Sequence, residues 1–315
     1  MLDISLQNFE SDLITASTQQ PVLLDIWAPW CGPCKALGPL LEKLETAYAG
    51  RFKLAKLNSD DQPEIAGQLS QMFGVRSIPF CVLFKGGQPV DGFVGALPEA
   101  EVRSFLDKHV PSAVEVSAEE EVDEAEALLA AGDVDSAIEK LREAVALNPG
   151  NDAARGDYLH ALLGAGRVAE ARRAYEPVAT RVMPNARLDA CGHWLDACEA
   201  AMRARAPDEL RQAIAIDKRD FAARFELAQI HLAGQQFTLA MDELLEIVMR
   251  DKTWNGELAR RVYVAALELM GEPAAAKSET LSASQSALET VSRGAHRLAD
   301  SVVDKYRRRL SMVLF

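Results

Sequence analysis

Two cysteines, Cys31 and Cys34, stand where an apolar run gives way to a helical pattern. The run Val22–Ile26 has the length of a buried strand, and apolar residues within 36–44 recur at three- and four-residue spacing, which predicts an amphipathic helix. Cys31 is therefore expected at a helix N-terminus, where unpaired N–H groups and the helix dipole stabilise a thiolate. Cys34 follows one turn inside, close enough to form a small ring with Cys31.

The chain is acidic and contains few cysteines. Its 315 residues suffice for two or three domains, and no apolar run approaches the length of a membrane span. Five cysteines are too few for a disulfide framework, and the first residues lack the basic and apolar regions of a secretory signal. We therefore expect a cytoplasmic protein whose Cys-x-x-Cys motif is catalytic or binds a metal. The net charge of −13 argues against nucleic acid or an anionic membrane as a partner.

Residues 1–110 alternate between strand and helix patterns. Strands are expected at 22–27 and 52–58, and a hairpin at 80–85 and 90–94, where two apolar runs flank a Gly-Gly-Gln-Pro turn. Helical patterns separate these strands and close the region. The order predicts an α/β domain with a mixed sheet and helices on both faces.

Residues 123–272 show helical patterns throughout, and the patterns repeat. Gly132 and Ala137 have counterparts 34 residues later in Gly166 and Ala171, and this interval is the period of a tetratricopeptide repeat. A looser copy follows after a degenerate helical stretch. Because each such unit covers its apolar face only against its neighbours, the copies are expected to stack into an array.

Two segments differ from these regions in composition. Residues 111–122 begin with proline and carry only acidic charges, which is typical of a solvated linker. Residues 273–303 are rich in Ser, Thr and Ala, and the chain then ends in a basic and apolar stretch. We interpret 273–315 as a Ser/Ala-rich segment followed by a C-terminal helix.

The first 110 residues resemble thioredoxin. The resemblance is carried, in chain order, by Asp25, 27–35, 56–58, 78–79, 84–87 and 94–97. With the acidic linker, the repeats and the basic tail, the chain resembles the bacterial chaperedoxins of the YbbN/CnoX type, relative to which 273–303 resembles an insertion. The implied fold class is multidomain: an α/β thioredoxin fold followed by an all-α tetratricopeptide-like helical array.

This resemblance implies catalytic roles for four residues. Cys31 is the expected nucleophile and Cys34 the resolving cysteine, since thiol–disulfide exchange needs an exposed thiolate and a second thiol. Asp25 is the expected proton acceptor, with Lys56 nearby. The residues themselves leave simpler interpretations open: Asp25 as a satisfied buried polar group, and Lys56 as a solvated lysine at a strand end. A zinc site is not favoured, because no second cysteine pair lies at zinc-knuckle spacing.

A substrate-binding surface is expected around the dithiol. Trp30, Gly32 and Pro33 flank the cysteines, and the Gly-Pro dipeptide resembles that of reducing thioredoxins. Pro79 matches the cis proline beside the thioredoxin active site, which is expected to open the backbone to an extended substrate. Phe80 stands where thioredoxins usually have Thr, so we expect a bulkier and more apolar groove.

The remaining cysteines have two interpretations each. Cys81 follows on a strand and is expected to be a buried core thiol, the alternative being a third redox thiol near the site. Cys191 and Cys198 lie two turns apart on one helical face, too far for a direct disulfide. Core packing is favoured for both over a metal site with His193, because Cys191 and His193 point to different faces of a helix.

The C-terminal stretch 306–315 also allows two structures. It either caps the last repeat as a packed helix or forms an exposed docking segment with a basic cluster and an apolar end. In the docking hypothesis, the residues that bind a partner are Arg307, Arg308, Leu310, Leu314 and Phe315. The family resemblance links this element to the chaperonin GroEL.

The resemblance as a whole implies an ATP-independent holdase that binds unfolding or oxidised client proteins. Its dithiol would protect or reduce their cysteines without a cofactor. Clients would pass to GroEL and also to DnaK, and thioredoxin reductase would recycle the dithiol. The alternative is a thioredoxin-type protein-disulfide reductase whose repeats are an adaptor for one folded partner. A redox-silent scaffold is disfavoured by the intact Trp-Cys-Gly-Pro-Cys motif.

Overall fold

The computed structural model describes residues 2–180, 185–271 and 302–314. The chain divides into two units, Met1–Glu119 and Glu120–Phe315, and each has its own hydrophobic core. The first unit contains a mixed sheet with helices, and the described part of the second is helical. The predicted fold class is therefore confirmed.

The sheet of the first unit has five strands in the order β1-β3-β2-β4-β5. The strands are β1 (Leu2–Asp3), β2 (Val22–Trp27), β3 (Lys53–Asn58), β4 (Phe80–Lys85) and β5 (Gln88–Val94). β1, β3 and β2 are parallel, whereas β4 and β5 are antiparallel to their neighbours. The predicted hairpin is thus present at one edge of the sheet. The helices are a π-helical segment (Phe9–Thr15), α1 (Ala16–Gln19), α2 (Gly32–Ala47), α3 (Pro63–Phe73) and α4 (Glu99–Leu106).

β2 is the central strand and is covered on both faces, which explains why its sequence is an unbroken apolar run rather than an alternating one. One face, which includes Leu23 and Cys81, packs against Leu37 and Leu41 of α2 and also against α4. The opposite face packs against α3 and the N-terminal helical segment. Because side chains alternate along a strand, Asp25 shares the face of Leu23 and lies under α2.

The second unit is built from helices in sequence-adjacent pairs. Within the residues that the structure describes, its α-helices are α5 (Ala113–Ala130, which begins in the first unit), α6 (Val134–Leu147), α7 (Asp152–Gly164), α8 (Val168–Tyr175), α9 (Ala186–Ala201), α10 (Pro207–Ile216), α11 (Phe221–Ala233), α12 (Phe237–Arg250), α13 (Trp254–Leu269) and α14 (Val302–Leu314). α7 packs against α9, and α9 against α11 and α13. The helices share one large apolar core, as the stacking of repeats requires.

Helix caps mark the repeats more clearly than the apolar pattern does. Asn151, Asn185 and Asp220 each cap the first helix of a pair by accepting a backbone N–H with the side-chain oxygen. Their spacing is close to the repeat period. The stretch that was predicted to be degenerate therefore contains a further helix pair, α9 and α10.

The turns inside two pairs need a left-handed residue. Gly132 has a φ of +82° and Gly166 a φ of +73°, a region that glycine occupies without the penalty of a Cβ atom. These are the glycines whose 34-residue separation indicated the repeat. Their recurrence therefore has a conformational cause.

The acidic segment 111–122, which was predicted to be a linker, is mostly helical, and the boundary between the two units falls within it. α5 begins at Ala113 because Ser112 and Glu115 form a capping box. The Ser112 Oγ accepts the Glu115 N–H at 3.1 Å, and a Glu115 oxygen accepts the Ser112 N–H at 2.7 Å. The linker prediction was based on charge composition, which does not detect this Ser-x-x-Glu signal.

Most of the predicted Ser/Ala-rich segment, residues 273–301, lies outside the described residues, as does Phe315. Within the described ranges, no helix combines the length and the apolar character that crossing a membrane requires.

Candidate active site around Cys31 and Cys34

The two cysteines are joined where the chain leaves β2 and enters α2. Cys31 is the capping residue of α2, and a disulfide links it to Cys34 across a Cα–Cα distance of 5.3 Å. The Cys34 backbone N–H donates to the Cys31 Sγ at 3.2 Å. This N–H and the helix dipole favour negative charge on the Cys31 sulfur after reduction. The predicted position of both cysteines and their ability to form a small ring are confirmed.

The expected difference in exposure between the two cysteines is absent in this oxidised state. Cys31 is 3% exposed and Cys34 is 4% exposed, because both pack with Ala28, Trp27 and Ile78. The surface over the disulfide is formed by its neighbours instead. Gly32 and Pro33 are exposed, and the ring of Trp30 is exposed as well.

Trp30 is held in place by an acidic residue that the sequence did not single out. Its indole N–H donates to both carboxylate oxygens of Asp60, at 3.0 and 3.2 Å. Asp60 follows β3 in an exposed turn, and nothing in its local pattern separates it from the neighbouring Asp61. Only the tertiary contact identifies it.

Asp25 is almost completely enclosed under α2, with 1% of its surface exposed. The register of the sheet places Lys56 of β3 on one side of it and Cys81 of β4 on the other. Burial raises the pKa of Asp25 to about 6, although the Lys56 charge and a hydrogen bond from Cys81 oppose this shift. The carboxyl can therefore take up and release a proton near neutral pH.

Lys56 is engaged by a carboxylate on α2. Its Nζ lies 2.6 Å from the Glu42 Oε1, and 14% of its side chain is exposed. The interpretation of Lys56 as a freely solvated lysine does not fit this enclosure. Glu42 was not predicted as a site residue, because from the sequence it is one of several acidic residues on the polar side of the α2 pattern.

The part of the chain that forms this site is similar to a known family and to known proteins. Residues 1–108 match the thioredoxin family model. Thioredoxin from Synechocystis sp. is 42% identical over 107 residues, which cover 34% of this chain and 94% of that protein. Thioredoxin from Haemophilus influenzae is 44% identical over 110 residues, covering 35% of this chain and 97% of that protein. Thioredoxin 1 from Nostoc sp. is 46% identical over 90 residues, 29% of this chain and 80% of that protein.

The chain belongs to the thioredoxin family. Beyond this domain, residues 128–189 and 200–280 match tetratricopeptide-repeat models. The chain thus combines a thioredoxin unit, residues 1–119, with a repeat unit, residues 120–315. These matches and the Cys31–Cys34 pair define the chain as a thiol–disulfide redox protein with a helical-repeat region.

In the thioredoxin unit, the peptide bond between Ile78 and Pro79 is cis, as the resemblance implied. Phe80 differs from its prediction. Its side chain is 1% exposed, belongs to the core on the face away from α2, and contacts Phe73 at a ring separation of 5.6 Å. Because neighbouring residues on a strand point to opposite faces, the side chain that follows Pro79 enters the core. The prediction that it makes a substrate groove bulkier and more apolar is wrong.

Cys81 has the properties of a core thiol rather than of a redox thiol. Its side chain is fully buried, and burial raises its pKa well above the usual value, with the Asp25 charge adding to the shift. The thiol donates to the Asp25 Oδ1 at 3.8 Å. Cys81 therefore stays protonated and acts on Asp25 rather than on a substrate.

The cysteines of the repeat unit pack in its core, as was favoured from the sequence. Cys191 is 1% exposed and Cys198 is 7% exposed. Burial raises the pKa of Cys191 to about 12 and that of Cys198 to about 11, so both are protonated at neutral pH. Across the described ranges, no cluster of three or more His, Cys, Asp or Glu side chains is placed to hold a metal ion.

The C-terminal helix α14 is packed onto the repeat unit rather than free. Tyr306 and Leu310 are buried, and the Tyr306 hydroxyl donates to the Asp242 carboxylate at 3.2 Å. Arg309 also contacts Asp242, at 2.5 Å. The expectation that Leu310 binds a partner is therefore wrong, because this side chain packs into the core of the repeat unit.

The other described tail residues differ in exposure. Leu314 is half-buried and packs against the same core. Its carbonyl oxygen accepts a hydrogen bond from the Lys252 ammonium. Arg307 and Arg308 lie on the exposed side of α14. The basic part of the predicted docking segment is thus on the surface, while the apolar part is largely enclosed.

Proposed function

We propose that this protein is a chaperedoxin. In this proposal it binds unfolding or oxidised proteins through its repeat unit without ATP, and reduces or protects their cysteines with the Cys31/Cys34 dithiol. The observation that carries the redox part is the position of Asp25, which lies buried under the helix that begins at the dithiol. The cytoplasm, as predicted from the sequence, would keep such a dithiol reduced.

In the first chemical step, the thiolate of reduced Cys31 attacks one sulfur of a client disulfide. A bond forms between Cys31 and the client, the client disulfide breaks, and the second client sulfur leaves as a thiolate that takes a proton from water. Gly32 and Pro33, both exposed beside the dithiol, form the surface against which the client chain would lie.

In the second step, Cys34 gives its proton to Asp25 and attacks the Cys31 sulfur. The Cys31–Cys34 bond forms, the mixed disulfide breaks, and the client sulfur leaves as a thiolate that takes a proton from water, so the client gains two electrons and ends with two thiols. A pKa of about 6 makes Asp25 mostly ionised at pH 7, so it is ready to accept that proton. An external dithiol reductant, such as that of thioredoxin reductase, restores the starting state.

The redox part is tested by insulin reduction coupled to thioredoxin reductase. We expect turnover by the wild type and none by the Cys31→Ser variant. The Cys34→Ser variant should accumulate mixed disulfides with clients in cells, because the second step is blocked. Turnover by Cys31→Ser would refute the assignment of the nucleophile.

The holdase part is tested by the aggregation of citrate synthase on heating without ATP. Suppression at near-stoichiometric ratios supports a chaperedoxin, and no suppression rejects it. The Cys31→Ser variant is the matched control, since loss of the thiol should leave holdase activity unchanged.

Handover to GroEL, and to DnaK, is proposed from the family resemblance. The exposed pair Arg307 and Arg308 is the part of the tail that can contact a chaperonin while α14 stays packed. We expect charge reversal of both residues to Glu to weaken GroEL binding, measured with the full chain. Unchanged binding would reject this role for the tail. Truncation is a poorer test, because it also removes Tyr306 and Leu310 from the core.

A second function is favoured by one feature of the repeat unit. The groove between α9 and α13 has five charged residues among the eight that line it: Asp189, Glu257, Arg260, Arg261 and Glu268. A charged groove suits the polar surface of a folded protein better than an unfolded apolar chain. The alternative is therefore a protein-disulfide reductase with an adaptor for one folded partner, which would reduce insulin without protecting citrate synthase.

A further inference from the structure

The buried acid Asp25 is not the carboxylate that holds the lysine beside it. In the sheet register Asp25 and Lys56 are direct neighbours, yet the Lys56 ammonium forms its ion pair with Glu42 at 2.6 Å. Both Asp25 and Lys56 lie on the sheet face covered by α2, and the Lys56 side chain is largely enclosed. Two carboxylates are thus available to the Lys56 ammonium, and the ion pair forms with Glu42.

Helix α2 connects this pair to the dithiol. Its N-terminus carries Cys31 and Cys34, and Glu42 lies about two turns further along the same helix. The Lys56 ammonium reaches Glu42 past Gly38, where a Cβ atom would lie 3.7 Å from the Nζ. The small residue leaves room for the lysine to run along the helix towards Glu42.

We propose that Glu42 is a positioning residue for the redox reaction. By binding the Lys56 ammonium, it keeps that charge from pairing fully with Asp25 and so leaves Asp25 able to exchange a proton with Cys34 near neutral pH. This inference rests on the proposed function, in which Asp25 accepts the Cys34 proton.

The direction of the effect follows from the charges that face Asp25. These are Lys56 from β3 and, through the lysine, Glu42 from α2; the neutral thiol of Cys81 faces Asp25 from β4. Removing the Glu42 charge takes away a negative group and frees the ammonium for Asp25. Both changes favour the ionised form of Asp25 and lower its pKa.

The first test is a pH titration of the Asp25 carboxyl carbon by NMR in the full-length oxidised protein. We expect Glu42→Gln to lower the pKa of Asp25 by about half a unit or more. The matched control is Glu64→Gln, which removes an exposed carboxylate from α3 and should leave the titration unchanged. An unchanged or raised pKa of Asp25 in Glu42→Gln would overturn the proposal.

A double variant separates positioning from a direct charge effect. When Glu42→Gln is made in a Lys56→Gln background, the change that it causes in the pKa of Asp25 should be less than half as large. The reason is that Lys56 transmits most of the effect. A shift of equal size without Lys56 would refute the positioning role.

The second readout is the pH profile of insulin reduction. A fall of half a unit in the pKa of Asp25 raises the ionised fraction at pH 5 by roughly two- to threefold, and turnover relative to pH 8 should rise by the same factor. If Glu42→Gln shifts the titration but not this profile, Asp25 is not the proton acceptor and the proposed mechanism fails. If the titration itself does not move, the failure belongs to Glu42 alone.

Discussion

Replacing Asp25 by Asn should stabilise the thioredoxin unit in a pH-dependent way. Burial raises the pKa of Asp25 from its usual 3.8 to about 6, which means that the folded state holds the proton more tightly than the unfolded state. The stability that protonated Asp25 contributes is therefore fully present below pH 3.8 and is lost as the pH rises to about 6. Above that range the ionised carboxylate carries the full cost of its burial.

The size of this cost follows from the shift. A difference of about 2 pKa units corresponds to roughly 3 kcal/mol of unfolding free energy. Since the side chain is 1% exposed, solvent does not screen this term appreciably. We expect the unfolding free energy of Asp25→Asn, relative to that of the wild type, to be about 3 kcal/mol higher at pH 8 than at pH 3.5.

Hydrogen exchange of the β2 amides in the full-length oxidised protein measures this free energy for the thioredoxin unit alone. The plots of unfolding free energy against pH for the wild type and Asp25→Asn should diverge between pH 4 and pH 6 and then run parallel. Asp3→Asn, which removes an exposed carboxylate from the same sheet, is the control and should follow the wild type. Parallel profiles for Asp25→Asn throughout would show that the pKa of Asp25 is not raised.

Three further predictions test other contacts. Cys81→Ala removes a hydrogen bond to the Asp25 carboxylate and should raise the pKa of Asp25, measured by NMR; a lowered pKa would contradict the contact. Leu310→Ala should weaken the docking of α14 by about 2–5 kcal/mol, seen as faster hydrogen exchange in that helix, whereas Met312→Ala, at a 76% exposed position, should not. Arg155→Met leaves two backbone carbonyl oxygens of the repeat unit without their donor, at a cost of about 1–3 kcal/mol each, and should lower the urea midpoint of that unit.

The repeats show where a local pattern is enough and where it is not. The glycine spacing predicted the repeat because a left-handed turn depends on a single residue type. The pair α9 and α10 was missed as a repeat because its apolar positions do not follow the pattern of the other copies. Its capping residue Asn185 does keep the period, so attention to caps would have found it.

Two buried arginines in the repeats were not predicted from the sequence. Arg155 and Arg224 lie 69 residues apart, each enclosed and each donating to a backbone carbonyl six residues before it. Arginine is normally placed on the surface when only the sequence is considered, so the enclosure of these two came from the structure.

The thioredoxin unit, the helical repeats and the dithiol could all be predicted from the amino-acid sequence. Each of these depends on short-range information: an apolar run, a three-four spacing, a motif of four residues. Asp25 was also identified in this way, because a carboxyl group in a wholly apolar strand has few explanations.

The surroundings of these elements became known from the folded structure. It paired Lys56 with Glu42 and Trp30 with Asp60, enclosed Phe80 in the core, and placed Leu310 against the repeats. Such contacts join residues that are far apart in the chain, and they depend on strand register and helix packing. A sequence pattern describes the face of one element, whereas the partner of that face is set by how the elements come together.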